Sequence, residues 1–221
     1  MADDSTHQAR YVPAAGRAGL TRFYDPAMAL TMRERSWRPA LRDRVLAGVP
    51  AGGTVVEVGA GTGRSAIDLA SRRPDVEVVA IDGDPEALAL GQAKPGAERI
   101  HWQQGFAGQL TLPDASADAV VMSLLLHHLD PPTKRAALAD ARRILRPNGR
   151  IHIADWGRPN SPLTRPGFLI LQLIDGFANT RDHAAGLIPT YLTDTGFTPT
   201  TWKTVQTAWG TLDLIEAVPT Q

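Results

Sequence analysis

An acid set inside an apolar run, alternate glycines behind it and a second acid at the end of the next apolar run are the best-spaced groups for chemistry in this chain. They are Glu57, then Gly59, Gly61 and Gly63, then Asp82, within VVEVGAGTGRS (55–65) and VVAID (78–82). Glycines so placed let a backbone turn tightly and pass close to a ligand. A helix starting just behind them presents backbone N–H groups with no partner of their own. An acid some twenty residues further on can accept from both hydroxyls of a ribose. Together these residues describe a nucleoside-cofactor site on a Rossmann-like sheet. A second set, His127 and His128, closes the apolar run near 118–126. An imidazole there can act as a general base near neutral pH.

The spacing admits two cofactor classes. The nicotinamide pattern G-x-G-x-x-G/A fails from Gly59, because its sixth position is Arg64, and passes from Gly61, with Gly63 and Ala66. Two features weigh against a dinucleotide. The glycine that directly follows the strand is Gly59, and Glu57 occupies a strand position that such sites fill with an apolar residue. A carboxylate in a strand needs a donor or a cation. A ligand with a zwitterionic amino-acid tail supplies an ammonium group. S-adenosylmethionine has that tail and NAD does not.

The chain resembles the class I S-adenosylmethionine-dependent methyltransferases, most closely the ubiquinone/menaquinone-biosynthesis type of small-molecule enzyme. EVGAGTG (57–63) is similar to the first family motif and AIDGDP (80–85) to the second. LPDASADAVVMSLLLHHL (112–129) and LRPNGRIHIAD (145–155) are similar to two later ones, and the four stand in the family's order. The resemblance runs from about Tyr24 to the C-terminus. It implies that Glu57, Gly59, Gly61, Thr62, Gly63, Asp82 and Gly83 hold the cofactor, with Ser123 and Leu124 joining them from the third motif. One departure concerns adenine. The family often places an Asp in a GDA triplet, and here the triplet is Gly105, Phe106, Ala107. Phe106 cannot accept a hydrogen bond but can border the ring, which leaves backbone groups or Gln104 to meet the adenine edge. The family's FD pair is Ala117-Asp118.

On the acceptor side the resemblance points to His128 as base or positioning group, with His127 turned toward the helix layer. A histidine base would titrate near its ordinary value of about 6.5. The alternative is that one histidine only orders its loop. A metal reading from His127, His128, Asp130 and Asp155 is set aside, because adjacent histidines do not easily face one ion and Asp130 reads as a helix cap. No metal is expected. Tyr24 matches a YD pair whose tyrosine approaches the cofactor in this branch, and is otherwise a lid residue. Arg38, in the run Arg33, Arg35, Arg38, Arg42, Arg44, either meets the cofactor carboxylate or belongs to a solvated helix face. The acceptor pocket is expected from Tyr24, Trp37, the 127–129 loop, Trp156 and 168–177. These residues favour a small hydrophobic or aromatic metabolite, methylated at oxygen, nitrogen or carbon.

Positioning these groups requires an α/β domain. Strands are read near 54–58, 76–81, 98–103, 118–123, 149–154, 199–207 and 210–217, and helices near 63–72, 84–92, 133–145, 168–177 and 184–195. Asp84-Pro85 and Asp130-Pro131 read as helix starts. Alternation of this kind gives a doubly wound, Rossmann-like, seven-stranded sheet. It is mostly parallel, with an antiparallel C-terminal strand and an N-terminal helical lid. Residues 1–20 read as a flexible arm and 21–221 as one methyltransferase domain. That domain divides into a lid (21–50), a cofactor-binding core (51–157), and acceptor-side helices with a closing hairpin (158–221).

The 221 residues suit one such domain. Formal net charge is +0 and there is no cysteine, so whole-chain attraction to nucleic acid and thiolate or disulfide chemistry are not expected. No apolar run spans a bilayer, and the first residues lack a signal-peptide pattern. A cytoplasmic enzyme acting on a small-molecule acceptor is expected, with a homodimer admissible. An NAD(P)-dependent oxidoreductase and an inactive S-adenosylmethionine-binding protein are the alternatives.

Overall fold

The computed structural model describes residues 32–160 and 165–220. Glu34–Ala47 forms helix α1, which places Trp37, Leu41 and Val45 on one buried stripe. Strand β1, Thr54–Val58, is almost wholly buried, as a central parallel strand must be. Helix α2 (Arg64–Arg72), strand β2 (Glu77–Asp82), helix α3 (Pro85–Gln92) and strand β3 (Ile100–Gln104) follow, then strand β4 (Ala117–Ser123). Helix α4 (Pro131–Ile144) leads to strand β5 (Leu145–Trp156), and helices α5 (Arg165–Asp175), α6 (Phe177–Ala185) and α7 (Ile188–Asp194) precede the hairpin of β6 (Phe197–Gln206) and β7 (Thr211–Pro219).

The seven strands lie in the order β3-β2-β1-β4-β5-β7-β6. The first five are mutually parallel, and β7 enters antiparallel between β5 and β6. One face of the sheet packs α1 and α2 through Trp37, Leu41, Val55, Leu69 and Ala154. The other packs α4 and α7 through Val56, Ile81, Leu138, Ile153 and Leu192. The order reverses between β1 and β4, and the crevice beyond their carboxyl ends is where a doubly wound sheet takes its ligand.

The expected helix starts hold: the Asp84 carboxylate accepts from Glu86 and Ala87 N–H, and that of Asp130 from Thr133 N–H. One expectation changes. The helix read near 184–195 divides, because Gly186 takes φ 75° and closes α6 before α7 begins. The retained acid of the FD pair has a structural role. Asp118 accepts from Thr54 N–H at 2.8 Å and pairs with Arg146, tying β4 to the start of β1.

Candidate cofactor and acceptor site

The glycine turn is held against β2, since the N–H groups of Gly59 and Ala60 both donate to the Ile81 carbonyl, at 2.8 and 3.0 Å. Gly59, Gly61 and Gly63 all have positive φ. Their surroundings differ. A Cβ on Gly63 would stand 2.1 Å from the Trp102 ring and one on Gly59 2.7 Å from Leu125, whereas nothing lies within 4 Å of one on Gly61. The backbone of Gly61 therefore faces open space. Thr62, beside it, takes Lys94 Nζ on both its carbonyl (2.8 Å) and its hydroxyl (2.7 Å).

Glu57 is 2% exposed, and its Oε2 has no hydrogen-bond partner among the described residues. Burial pushes its carboxyl up to about 7, against the pull of the Arg38 guanidinium and hydrogen bonds from Ser65 and Ala66. Arg38 is held in turn by Glu34, at 3.0 Å, and Glu34 also meets Arg64 at 3.1 Å. This buried acid thus ties α1 to the residue directly after the glycine turn. Elsewhere in that run Arg33 donates to the Gln206 carbonyl at 3.1 Å, Arg42 pairs with Asp43 and Asp68, and Arg44 with Glu216.

Asp82 ends β2. Its Oδ2 accepts from Gly61 N–H at 2.7 Å and its Oδ1 from Asp84 N–H at 2.9 Å. Burial raises its carboxyl, opposed by these backbone donors. Each oxygen keeps acceptor capacity for a further donor. Phe106 lies over Gly83, where a Cβ would meet its ring at 2.6 Å, and it is exposed on its other side. Gly105 N–H donates to the Asp82 carbonyl at 3.0 Å, and Gln104 Nε2 to that of Gly83 at 3.4 Å. Gly83, Gln104, Gly105, Phe106 and the half-buried Ala107 thus follow one another along the ends of β2 and β3.

At the end of β4, the Ser123 hydroxyl is buried without a hydrogen-bond partner among the described residues, and Leu124 takes φ 56°. A left-handed conformation at a leucine is uncommon and marks a site where packing dictates the backbone. It turns the chain so that Leu125 covers Gly59 and the short 3₁₀ turn Leu126–His128 follows.

That turn divides the two histidines. His127 is buried and its Nδ1 lies 2.8 Å from Asp155 Oδ1. Asp155 also accepts from Leu126 N–H and Trp156 N–H, each at 2.7 Å. Burial opposes ionisation of Asp155, but His127, His183 and these hydrogen bonds outweigh it and hold the carboxyl well below the usual range. Burial, with His127 and His183 nearby, pushes the His128 imidazole down to about 3. That direction favours a neutral His128 imidazole at pH 7. His183, on α6, is wholly buried and donates from Nδ1 to the Trp156 carbonyl at 2.7 Å.

Motif reading had weighed Asp155 only as a metal ligand and had missed His183. No spacing marks His183, which reaches the site only by the folding of α6 onto the end of β5. Among the described residues no group of three or more His, Asp, Glu or Cys side chains could hold a metal ion. Tyr24 lies outside the described residues. Trp37 and Phe168, expected to line the acceptor pocket, are core residues at 0% and 3% exposure, whereas Trp156, at 2%, forms part of a cavity wall. A cavity of about 240 Å³ does lie beside β5, β7 and the α6–α7 junction, with Asp155, Arg158, Ile188, Asp213 and Ile215 among its walls.

Sheet order, glycine turn and paired acids define a Rossmann-like α/β fold of the methyltransferase kind. Residues 55–149 match the methyltransferase domain family. Relatives include a demethylmenaquinone methyltransferase of Deinococcus radiodurans, 37% identical over 132 residues, which is 59% of this chain and 53% of that protein. A ubiquinone/menaquinone biosynthesis C-methyltransferase of a Caulobacter strain is 34% identical over 57% of this chain and 52% of its own length. The chain spans about half the length of the curated relatives it matches. The magnesium protoporphyrin IX methyltransferase of Synechocystis PCC 6803, solved with bound S-adenosylhomocysteine, superposes with a TM-score of 0.67 at 20% identity, covering 92% of this chain and 90% of that one. Fold and sequence agree that residues 55–149 are similar to a methyltransferase domain, and the matched segment is similar to enzymes named for ubiquinone and menaquinone biosynthesis.

Proposed function

We propose that the protein transfers a methyl group from S-adenosylmethionine to a small hydrophobic or aromatic metabolite. The observation that carries this reading is Glu57. A carboxylate buried beside a glycine turn, with one oxygen lacking a partner, suits a ligand that brings an ammonium group. Arg38, next to it, suits the carboxylate of the same amino-acid tail. Gly61 gives the tail room, Asp82 accepts from the ribose hydroxyls, and Phe106 borders the adenine, with Gln104 and Ala107 at its edge. Ser123 and Leu124 close the crevice from β4. When bound, the cofactor supplies an activated methyl group on a sulfonium centre. The chain's own task is then to align the acceptor and exclude water, which can contribute about 7–11 kcal/mol in favourable cases.

An aromatic acceptor is supported by relatives whose names specify quinone-type substrates. A cytoplasmic location, the absence of a nucleic-acid partner and an admissible homodimer belong to the same reading. The first two are supported by a net charge of +0 and, among the described residues, by the lack of any helix long and apolar enough to cross a membrane. Calorimetry with S-adenosylhomocysteine against NADH tests the cofactor. Binding of the first alone is expected, and binding of NADH alone would make the chain an oxidoreductase.

A further inference from the structure

We propose that Lys94 is a positioning residue for the cofactor's amino-acid tail, acting through Thr62 of the glycine turn. The proposal rests on the methyltransferase reading above and extends it to a residue just beyond α3. It begins with the ties of the turn itself. The N–H groups of Gly59 and Ala60 go to the Ile81 carbonyl, at 2.8 and 3.0 Å, and that of Gly63 goes to Ala60 at 2.9 Å. Gly61 N–H goes to Asp82 at 2.7 Å. Thr62 differs. Among the described residues its N–H donates to no partner, and its carbonyl receives no backbone N–H.

What holds Thr62 comes from another part of the chain. Its carbonyl and hydroxyl both accept from Lys94 Nζ, at 2.8 and 2.7 Å, across 32 residues of sequence. An ammonium has three donors and can serve both oxygens at once. With carbonyl and side chain held, Thr62 is fixed on both sides of its Cα, and the direction of its N–H is fixed with them. That N–H adjoins Gly61, where a Cβ would meet nothing within 4 Å. An N–H at the start of a helix suits a carboxylate, and the tail carries one.

Lys94 is itself set by its neighbours. Its N–H donates to the Gly91 carbonyl at 3.0 Å, and its carbonyl accepts from Ala97 N–H at 3.2 Å. Gly91, on α3, lies against the turn: a Cβ there would stand 3.1 Å from the Thr62 carbonyl carbon and 2.6 Å from the Trp102 ring. The same ring fills the space at Gly63, and its Nε1–H donates to the Ala97 carbonyl at 3.0 Å. The glycine turn is thus backed by an indole and pinned by a cation, both anchored in residues 91–97. The consequence is preorganisation, because a turn that already aims its donor loses less freedom on binding. If the productive orientation holds only about a tenth of the time without Lys94, apparent affinity falls about tenfold.

Calorimetry on the full chain with two ligands tests this. S-adenosylhomocysteine has the tail, and 5′-methylthioadenosine has the nucleoside without it. Lys94→Met should weaken the first about tenfold and the second by less than about twofold. The nucleoside is spared because Asp82 keeps its bond from Asp84 N–H at 2.9 Å. Lys94→Gln should show the same contrast in smaller measure. Lys94→Arg keeps donors and charge and should bind S-adenosylhomocysteine within about threefold of the wild type. Thr62→Val removes one of the two acceptors, so Lys94→Met should have clearly less effect in that background. Amide hydrogen exchange at Gly61 and Thr62 should be faster in unliganded Lys94→Met than in the wild type, with α4 unchanged. Unchanged affinity in Lys94→Met, or equal weakening of both ligands, overturns the proposal. So does a Lys94→Arg as weak as Lys94→Met, or full additivity with Thr62→Val. A wild type that binds no S-adenosylhomocysteine removes the reading beneath, and hydrogen exchange then decides whether Lys94 fixes the turn.

Discussion

At the scale of single residues, the two acids of the glycine turn make opposite demands. Asp82 is already engaged by two backbone N–H groups, so in the proposed reading the ribose hydroxyls are met by its remaining lone pairs. Charge-assisted bonds of that kind contribute roughly 1.5–3 kcal/mol each, so Asp82→Ala should weaken S-adenosylhomocysteine about tenfold or more by calorimetry. Glu57 is costly before any ligand arrives. Its folded pKa of about 7 lies above the ordinary value of 4.5. Its contribution to stability is full below the ordinary value and is lost as pH rises through about 7, because ionisation then occurs in a buried place. Glu57→Gln should abolish that loss. At pH 8 the unliganded variant should be the more stable, by up to about 3 kcal/mol from the conversion of 1.36 kcal/mol per unit. The same variant should bind S-adenosylhomocysteine more weakly. Denaturant titrations at pH 5 and pH 8, with calorimetry at the same values, check both halves. Equal stability at pH 8 would mean that Arg38 and the hydrogen bonds from Ser65 and Ala66 already offset the burial of Glu57.

At the scale of elements, the glycine turn separates packing from binding. Gly63 and Gly61 both have positive φ, so a side chain at either costs about 1–2 kcal/mol in backbone strain. At Gly63 the added carbon also runs into Trp102, and overpacking of this sort costs about 1–3 kcal/mol more. Gly63→Ala should therefore lower the melting temperature clearly more than Gly61→Ala. At Gly61 a larger side chain would enter open space, so Gly61→Arg should keep the fold and abolish cofactor binding. Thermal melts beside calorimetry separate the two, and unchanged affinity in Gly61→Arg would move the site elsewhere. The turn after β4 follows the same logic in reverse. Leu124 tolerates φ 56° because its N–H is held by the Ala154 carbonyl at 2.8 Å, and that strain is what delivers His127 to Asp155.

At the scale of the whole molecule, Glu216 on β7 joins three parts of the chain. It takes Arg44 of α1 at 2.9 Å and Arg150 of β5 at 3.1 Å, with the buried His152 at 3.8 Å. Burial would raise its carboxyl, but the Arg44 hydrogen bond and the surrounding cations lower it on balance. A lowered carboxyl stabilises the fold above its ordinary pKa, and the contribution fades as pH falls through the folded value. Glu216→Gln should thus cost about 1–2 kcal/mol near pH 7. The difference from wild type should shrink in urea titrations below about pH 4. A constant difference across that range would assign the cost to packing instead of charge.

Local patterns carried the geometry around the glycine turn. Glu57, the glycines and Asp82 lie close along two adjacent strands, and chemistry set by backbone turns and short spacing is visible in a linear string. The alternation of strands and helices, and the Asp-Pro helix starts, were legible for the same reason, since capping and periodicity act over a few residues. The helix break at Gly186 was not, because a glycine ends a helix only where packing calls for its left-handed conformation. The histidine pair depended on contacts far apart in the chain. Which of two adjacent histidines meets a carboxylate could not be read from identical neighbours, because the partner of His127 is Asp155, 28 residues on, with His183 of a later helix beside it. Trp37 and Phe168, which suggested an acceptor pocket, turned inward as core, since burial of a large side chain is settled by what the other elements leave uncovered. Residue type says what a side chain can do, and only the packed chain sets its neighbours, its dryness and hence its proton.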